Sequence, residues 1–298
     1  MRRAVIDLGT NTFHLLIADV AADGKLTEIY RERIFVKLAE EGITTIGALP
    51  FSRGIAALKH YRKRLDEYGI EDLKAIGTAA LRTASNGSEF VTTALREASI
   101  TIQLISGDEE ANLITTGVLR AIPILDDQIL IMDIGGGSTE YIIAGDAGVD
   151  WRQSFPIGVS VLSNDFHHSD PISADEILRL ENHLAEQLAP LAAALVKHPA
   201  HHLIGAAGTF DVLAEALRDP TAPDHPTSHQ LTLSGFPELY HTITSATLSE
   251  RIALPEIPPE RTDMIVVAMI LLRFTFRLAE IRRITVSDYA MKEGVLVR

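Results

Sequence analysis

Apolar positions alternate with polar ones, or run together in short blocks, over Val5 to Leu8, Phe13 to Val20 and Leu26 to Val36. That spacing predicts three β-strands. From Phe51 to Tyr68 the period lengthens, and Ile55, Leu58, Leu65 and Tyr68 fall near one face of an amphipathic helix. A strand at Leu73 to Ile76, a helix at Glu89 to Ala98 and a strand at Ile100 to Ile105 follow. Three strands, helix, strand, helix, strand is the pattern of an α/β unit.

The second half opens in the same way. Ile129 to Asp133 and Thr139 to Ala144 read as strands flanking a turn. One long helix is expected over Ser173 to Val196, opened by the capping pattern Ser173-x-x-Glu176. A strand at His202 to Ile204, helices at Phe210 to Leu217, Ser234 to Ser245 and Arg261 to Glu280, and a strand at Arg283 to Val286 complete the pattern. Pro123 and the Pro/His/Thr-rich stretch from Asp219 to His229 punctuate it as loop or linker. Two α/β domains are expected, residues 1–120 and 121–298, the last helix free to pack back on the first.

The halves share more than rhythm. Val5-Ile6-Asp7-Leu8-Gly9-Thr10-Asn11-Thr12 aligns with Ile131-Met132-Asp133-Ile134-Gly135-Gly136-Gly137-Ser138 at an offset of 126. Ala75-Ile76-Gly77-Thr78-Ala79 aligns with Leu203-Ile204-Gly205-Ala206-Ala207 at an offset of 128. Two matches in the same order at nearly the same offset indicate two similar domains. In such a turn the glycines let backbone N–H groups converge on an anion, and the Thr or Ser hydroxyl adds a donor. The preceding Asp can hold a metal directly or through water. One copy alone also fits an ordinary β-hairpin with a glycine turn. Its recurrence with an Asp at the same place favours a phosphate cradle. The pattern is not a dinucleotide fingerprint, because strand rather than helix follows Gly137, and Gly-Lys-Ser/Thr is absent.

Composition narrows the chemistry. With 298 residues, 46% of them hydrophobic, the chain can bury a large core. It has no cysteine, which excludes disulfides, thiolate nucleophiles and Cys-based zinc sites. Net charge is −13, with residues 1–120 nearly neutral and the excess acid in 121–298, so nucleic acid is not an expected partner. Met1-Arg2-Arg3 leads straight into a strand with no apolar leader, and Met264 to Leu272 is too short to span a bilayer. A cytoplasmic protein without a membrane partner is expected. The pairs His167-His168 and His201-His202 lack the i, i+4 spacing of a helical metal site and read as loop residues.

The blocks "AVIDLGTNTFHLLIADV", "IGTAALRTASN", "LISGDEEANLI", "ILIMDIGGGSTEYII", "SFPIGVSVL", "LIGAAGTFDVLAEAL" and "ITVSDYAMKEGVL" resemble the exopolyphosphatase and guanosine pentaphosphate phosphatase family. That family is a branch of the actin, sugar kinase and Hsp70 superfamily. The resemblance covers essentially the whole chain. It implies two RNase-H-like domains with an interdomain cleft, and Mg²⁺-dependent hydrolysis of a terminal phosphoryl group from a phosphoanhydride. Polyphosphate or guanosine pentaphosphate is the implied partner, and a homodimer a candidate assembly.

Such hydrolysis needs an in-line water, a carboxylate to take its proton, and positive charge on the transferring oxygens. Glu109 and Glu110 are the candidate bases. Ser106-Gly107-Asp108-Glu109 fits a capping box, which gives Glu109 a structural task, and the resemblance places the water-activating Glu at Glu110. Asp133 and Glu140 bracket the second turn as a metal-holding or water-orienting pair, with Asp7 as their counterpart in the first repeat. The resemblance also gives Arg82 and Asn86 phosphate contacts, and Lys37 a contact to the next phosphate. Gly9, Thr10, Asn11, Thr12, Gly135, Gly136, Gly137, Ser138, Gly208 and Thr209 form the implied phosphate loops. The chain departs from the family pattern at Ala39, Ala207 and Ala268, where small glycine-type positions carry a methyl.

Three readings remain in play: an exopolyphosphatase, a guanosine pentaphosphate or nucleotide phosphohydrolase, and a weakly active nucleotide sensor. Retention of Glu110, Asp133 and Glu140 argues against the sensor. The acidic second half, and the end of the chain soon after "SDYAMKEGVL", imply a preference for short polyphosphate.

Overall fold

The computed structural model describes residues 1–123 and 127–298. In chain order the first half runs β1 (Arg2–Leu8), β2 (Thr12–Val20), β3 (Leu26–Phe35), α1 (Ala48–Glu67), β4 (Leu73–Gly77), α2 (Ala79–Thr83), α3 (Gly87–Ala98), β5 (Ile102–Leu104) and α4 (Gly107–Ala121). There follow β6 (Ile129–Ile134), β7 (Thr139–Gly145), β8 (Gly148–Phe155), α5 (Val159–Phe166), α6 (Ala174–Gln187), α7 (Ala189–Lys197), β9 (His202–Ala206) and α8 (Gly208–Leu217). The chain ends with β10 (Ser228–Leu231), α9 (Phe236–Ser245), α10 (Leu248–Ile252), α11 (Ile265–Leu278), β11 (Arg283–Ser287) and α12 (Met291–Leu296). Among the described residues no helix is long and apolar enough to cross a membrane.

The chain divides into two compact units, one of Met1–Gly117, Gly135–Gly137 and Ala290–Arg298, the other of Val118–Ile134 and Ser138–Tyr289. The sheet of the first unit has the order β3-β2-β1-β4-β5, and that of the second β10-β11-β9-β6-β7-β8. Read from the other edge, β8-β7-β6-β9-β11 repeats β3-β2-β1-β4-β5. Both begin with an antiparallel meander of three strands, and both continue through a parallel neighbour of the first strand, β4 or β9. The aligned segments therefore occupy equivalent strands, as the repeat in the sequence predicts.

In the first unit, Ile6, Leu8, Phe13 and Leu15 pack with Leu58, Tyr61 and Phe90 from α1 and α3. The Tyr61 hydroxyl is satisfied inside that core by donating to the Phe13 carbonyl at 2.7 Å. α12 packs against β1 and β2. It crosses α4 where Gly117 and Gly294 meet, and a methyl on either glycine would collide with backbone, Ala290 for Gly117 and Leu113 for Gly294. In the second unit α11 lies at the centre of the core, with Ile265 through Leu272 all buried against Leu130, Met132, Phe210 and Leu203. The buried Tyr141 hydroxyl is paired with the Thr275 hydroxyl of α11 at 2.7 Å.

Two expected elements differ. The helix expected over Ser173 to Val196 is two, broken at Leu188. Pro190, in the first turn of α7, has no N–H to donate, and its ring clashes with the carbonyl four residues back. The Ser173–Glu176 capping box that opens α6 is present in both directions. Part of the stretch read as loop from Asp219 to His229 enters β10, which pairs antiparallel with β11. Five polar or short elements, α2, α5, β8, α10 and α12, carry too little periodicity to be seen in advance.

Candidate active site

The first glycine turn links β1 to β2. Leu8 and Phe13 are the last paired residues before it, and a side chain on Gly9 would stand 3.0 Å from the Thr12 carbonyl. Thr10 is buried, and its carbonyl accepts from Leu38 N–H at 2.7 Å. The Asn11 carbonyl accepts from Val36 and Lys37 N–H at 2.8 and 3.0 Å. Three consecutive amides thus fasten the turn to the end of β3. Lys37 sits at φ 44°, the left-handed region uncommon for a side-chain-bearing residue. Gly135–Gly137 also belongs to this unit, with Gly136 against Asn11 and Gly137 against Thr10. A methyl on Gly136 would come within 2.8 Å of Asn11 Nδ2, and one on Gly137 within 2.7 Å of Thr10 Oγ1. Only glycine lets the two turns approach this closely.

The same unit brings Arg82 and Glu110 together. Arg82 lies in the last turn of α2 and donates from one guanidinium nitrogen to the Ile105 carbonyl at 2.6 Å and to Glu110 Oε2 at 3.4 Å. Glu110, in the first turn of α4, is buried, while its neighbour Glu109 is exposed. The Glu109 amide donates to Ser106 Oγ at 3.2 Å, so the cap at the start of α4 engages the residue beside Glu110. A buried carboxylate is costly unless it is paired, and the Arg82 guanidinium offsets that cost.

Asn86 stands at the start of α3, and its amide clamps Ile46 from both ends. Its Oδ1 accepts from the Ile46 N–H and its Nδ2 donates to the Ile46 carbonyl, each at 2.9 Å. Asp7, near the end of β1, has its pKa pushed up to about 6 by burial, with Lys292 pulling it down and Glu293 pushing it further up. Arg31 is engaged by Glu28 and by the buried Glu293.

In the second unit Asp133 and Glu140 are direct cross-strand partners on β6 and β7, and both are buried. Directly opposed residues point to the same face of the sheet, so the two carboxylates stand side by side. Ser154, the β8 partner of Glu140, donates from Oγ to Glu140 Oε1 at 2.6 Å. The sequence pattern leaves β8 unassigned, and with it Ser154; the only signal available was its place in the "SFPIGVSVL" block. Ser138 and Thr139 are buried where β7 begins, and the Thr139 hydroxyl donates to the Ile157 carbonyl at 3.0 Å.

Gly208 and Thr209 open α8. Ala207, just before them, is held at φ 67°, ψ 176°, a region that side chains rarely enter. The Arg261 guanidinium lies over Gly208 and pairs with Asp211 at 3.7 Å. Among the described residues no group of three or more His, Asp or Glu side chains is gathered into a metal-binding cluster. The adjacent carboxylates Asp133 and Glu140 nevertheless fit a hard cation such as Mg²⁺, which takes one or two carboxylates and completes its shell with water and phosphate oxygens.

Two sheets of repeated strand order, each opened by a meander with a glycine turn, define a two-domain, actin-like fold. The chain belongs to the Ppx/GppA phosphatase family, which it matches over residues 16–298. It is 39% identical to an exopolyphosphatase from Cytophaga hutchinsonii, with a TM-score of 0.93 over 99% of this chain and 96% of that one. It is 28% identical to the Aquifex aeolicus member of the Ppx/GppA family, with a TM-score of 0.80 over 100% of this chain and 96% of that one. A third relative, exopolyphosphatase 1 of Mycobacterium leprae, is 25% identical over 100% of this chain and 89% of its own length.

Proposed function

We propose that this protein removes terminal phosphate from inorganic polyphosphate. The observation that carries the reading is the buried Glu110 beside Arg82, a proton acceptor and a cation delivered by two helices of one unit. Glu110 takes a proton from water as the water oxygen attacks the terminal phosphorus. The P–O bond to the rest of the chain breaks, giving orthophosphate and a polyphosphate one unit shorter. Arg82 balances charge on the transferring oxygens, while backbone amides and hydroxyls of the turns at Gly9–Thr12 and Gly135–Gly137, in the same unit, hold phosphate oxygens. Asn86 serves this arrangement by fixing Ile46, and Lys37 offers a further cation.

Asp133 and Glu140, partners on one sheet, are the groups that would hold Mg²⁺, which when bound supplies positive charge to the phosphoanhydride oxygens. Short chains are the preferred substrate, because the residues after 120 carry nearly all of the −13 net charge and repel a long polyanion at low ionic strength. Among the basic residues of the first unit, Arg31 is already engaged by Glu28 and Glu293, which leaves fewer cations for a long chain.

The test is phosphate release from polyphosphates of defined length, guanosine pentaphosphate and ATP, side by side, with and without Mg²⁺. Fastest release from short polyphosphate, lost on chelation, supports the proposal. Fastest release from guanosine pentaphosphate transfers the same chemistry to a nucleotide. Tight binding without release from any of them supports a sensor.

A further inference from the structure

We infer that Ser154 is a positioning residue for Glu140, an inference that rests on Glu140 serving the phosphate site. The register of the second sheet places Asp133, Glu140 and Ser154 in one row across β6, β7 and β8, each the direct partner of the next. Their side chains therefore project from the same face. Ser154 Oγ donates to Glu140 Oε1 at 2.6 Å, the short range of a hydroxyl bonded to a carboxylate. Glu140 is 1% exposed, so water has little access with which to replace that donor. A Glu side chain has three rotatable bonds, and pinning one oxygen fixes the rotation of the whole carboxylate beside Asp133.

The duplicated sheet supplies an internal control. In the first unit the same row reads Asp7, His14 and Arg33. The fold builds its meander equally well around an imidazole and a guanidinium, so the architecture itself does not demand a hydroxyl opposite residue 140. What the hydroxyl adds is specific to a carboxylate that must stand in one orientation next to another. Two like charges directly opposed across strands repel, and the Ser154 hydroxyl favours the Glu140 orientation that keeps one carboxylate oxygen turned toward β8.

The experiment is a double-mutant cycle on polyphosphate hydrolysis using Ser154→Ala, Ser154→Thr and Glu140→Gln, with melting temperatures measured for each. Ser154→Ala is expected to lower kcat about tenfold with KM within twofold, a split that general loosening of the fold does not produce. Ser154→Thr, which keeps the hydroxyl on a strand-compatible side chain, should return kcat to within about twofold of wild type. In the Glu140→Gln background, Ser154→Ala should change kcat by less than about twofold, because Ser154 acts through the Glu140 carboxylate.

Equal losses from Ser154→Ala in both backgrounds overturn the inference. So does wild-type turnover in Ser154→Ala while Glu140→Gln is impaired, an outcome that leaves the site itself standing. If Glu140→Gln is fully active, the role of Glu140 falls and the inference falls with it, so the two failures are told apart by that single variant.

Discussion

Glu110→Gln keeps the size and shape of the side chain and removes its ability to take a proton. Loss of a general base costs at least about a hundredfold in kcat, or about 2.7 kcal/mol of transition-state stabilisation. The structure bounds the accompanying loss of stability. The Glu110 side chain is 11% exposed, but its partner Arg82 is 30% exposed and keeps the Ile105 carbonyl as a second acceptor. Removing the negative charge therefore costs about 1 kcal/mol rather than the roughly 3–5 kcal/mol of a fully buried pair, a fall of about 2–3 °C in Tm. Glu109→Gln is the matched control, one residue away on an exposed side chain, and should lower kcat less than about twofold. Steady-state phosphate release and thermal melting on the three proteins decide the matter. Equal turnover losses in the two variants at unchanged melting temperatures, or a Glu110→Gln enzyme within tenfold of wild type, would refute the assignment.

Asp7 has a folded-state pKa of about 6, above the ordinary 3.8, so the folded state binds its proton more tightly than the unfolded chain does. That contribution is fully present below about pH 4 and is lost as the pH rises through 6. Without divalent cations, Asp7→Asn should raise Tm at pH 7.5 and leave it unchanged at pH 4; the same Tm difference at both pH values would contradict the shift. Asp133→Asn should weaken activation by Mg²⁺ and lower turnover together, with partial rescue by excess Mg²⁺; a wild-type Mg²⁺ titration would place Asp133 away from the metal. Ala207→Gly should stabilise the protein by about 1 kcal/mol, since glycine enters φ 67°, ψ 176° without the penalty Ala207 carries there, and a lower Tm would count against that strain. Gly294→Ala should destabilise by about 3 kcal/mol, because its methyl meets the Leu113 carbonyl rather than a side chain able to swing aside; an unchanged denaturant midpoint would mean that α4 and α12 can separate at little cost.

The parts of the molecule differ in how much of their structure local sequence encodes. The duplication was legible because it preserves an ordered pattern, Asp, glycine turn, apolar strand, that periodicity detects in each half separately. The contrast between Glu109 and Glu110 was partly legible: the Ser-x-x-Glu spacing matches the bond from the Glu109 N–H to Ser106 Oγ, and the structure leaves Glu109 exposed and Glu110 buried. Asn86 shows where local reading stops. The family resemblance gives it a phosphate contact, and the structure adds a second task, since its amide holds Ile46, forty residues away, a contact that no local pattern encodes. Arg261 over Gly208 is hidden for the same reason, fifty-three residues separating the cation from the loop it covers.

The strand that matters most for Glu140 is also the least visible. β8 reads Gly-Val-Asp-Trp-Arg-Gln-Ser-Phe, an edge strand whose polar positions blur the alternation by which strands are found. Ser154 is informative only once the register is known, because a shift of one residue would put Gln153 or Phe155 opposite Glu140 and turn every side chain of the strand to the other face. The register is held by contacts that have nothing to do with phosphate. Tyr141, beside Glu140 on β7, is buried in the apolar core with its hydroxyl tied to Thr275, and Phe155 packs edge-on against it at 5.8 Å between ring centroids. One face of β7 and β8 thus anchors the strands in a dry core, and the opposite face inherits the placement of Glu140 and Ser154 from it. Packing on one side of the sheet fixes the polar row on the other, so a substitution at Tyr141 would reach Glu140 through register without touching it.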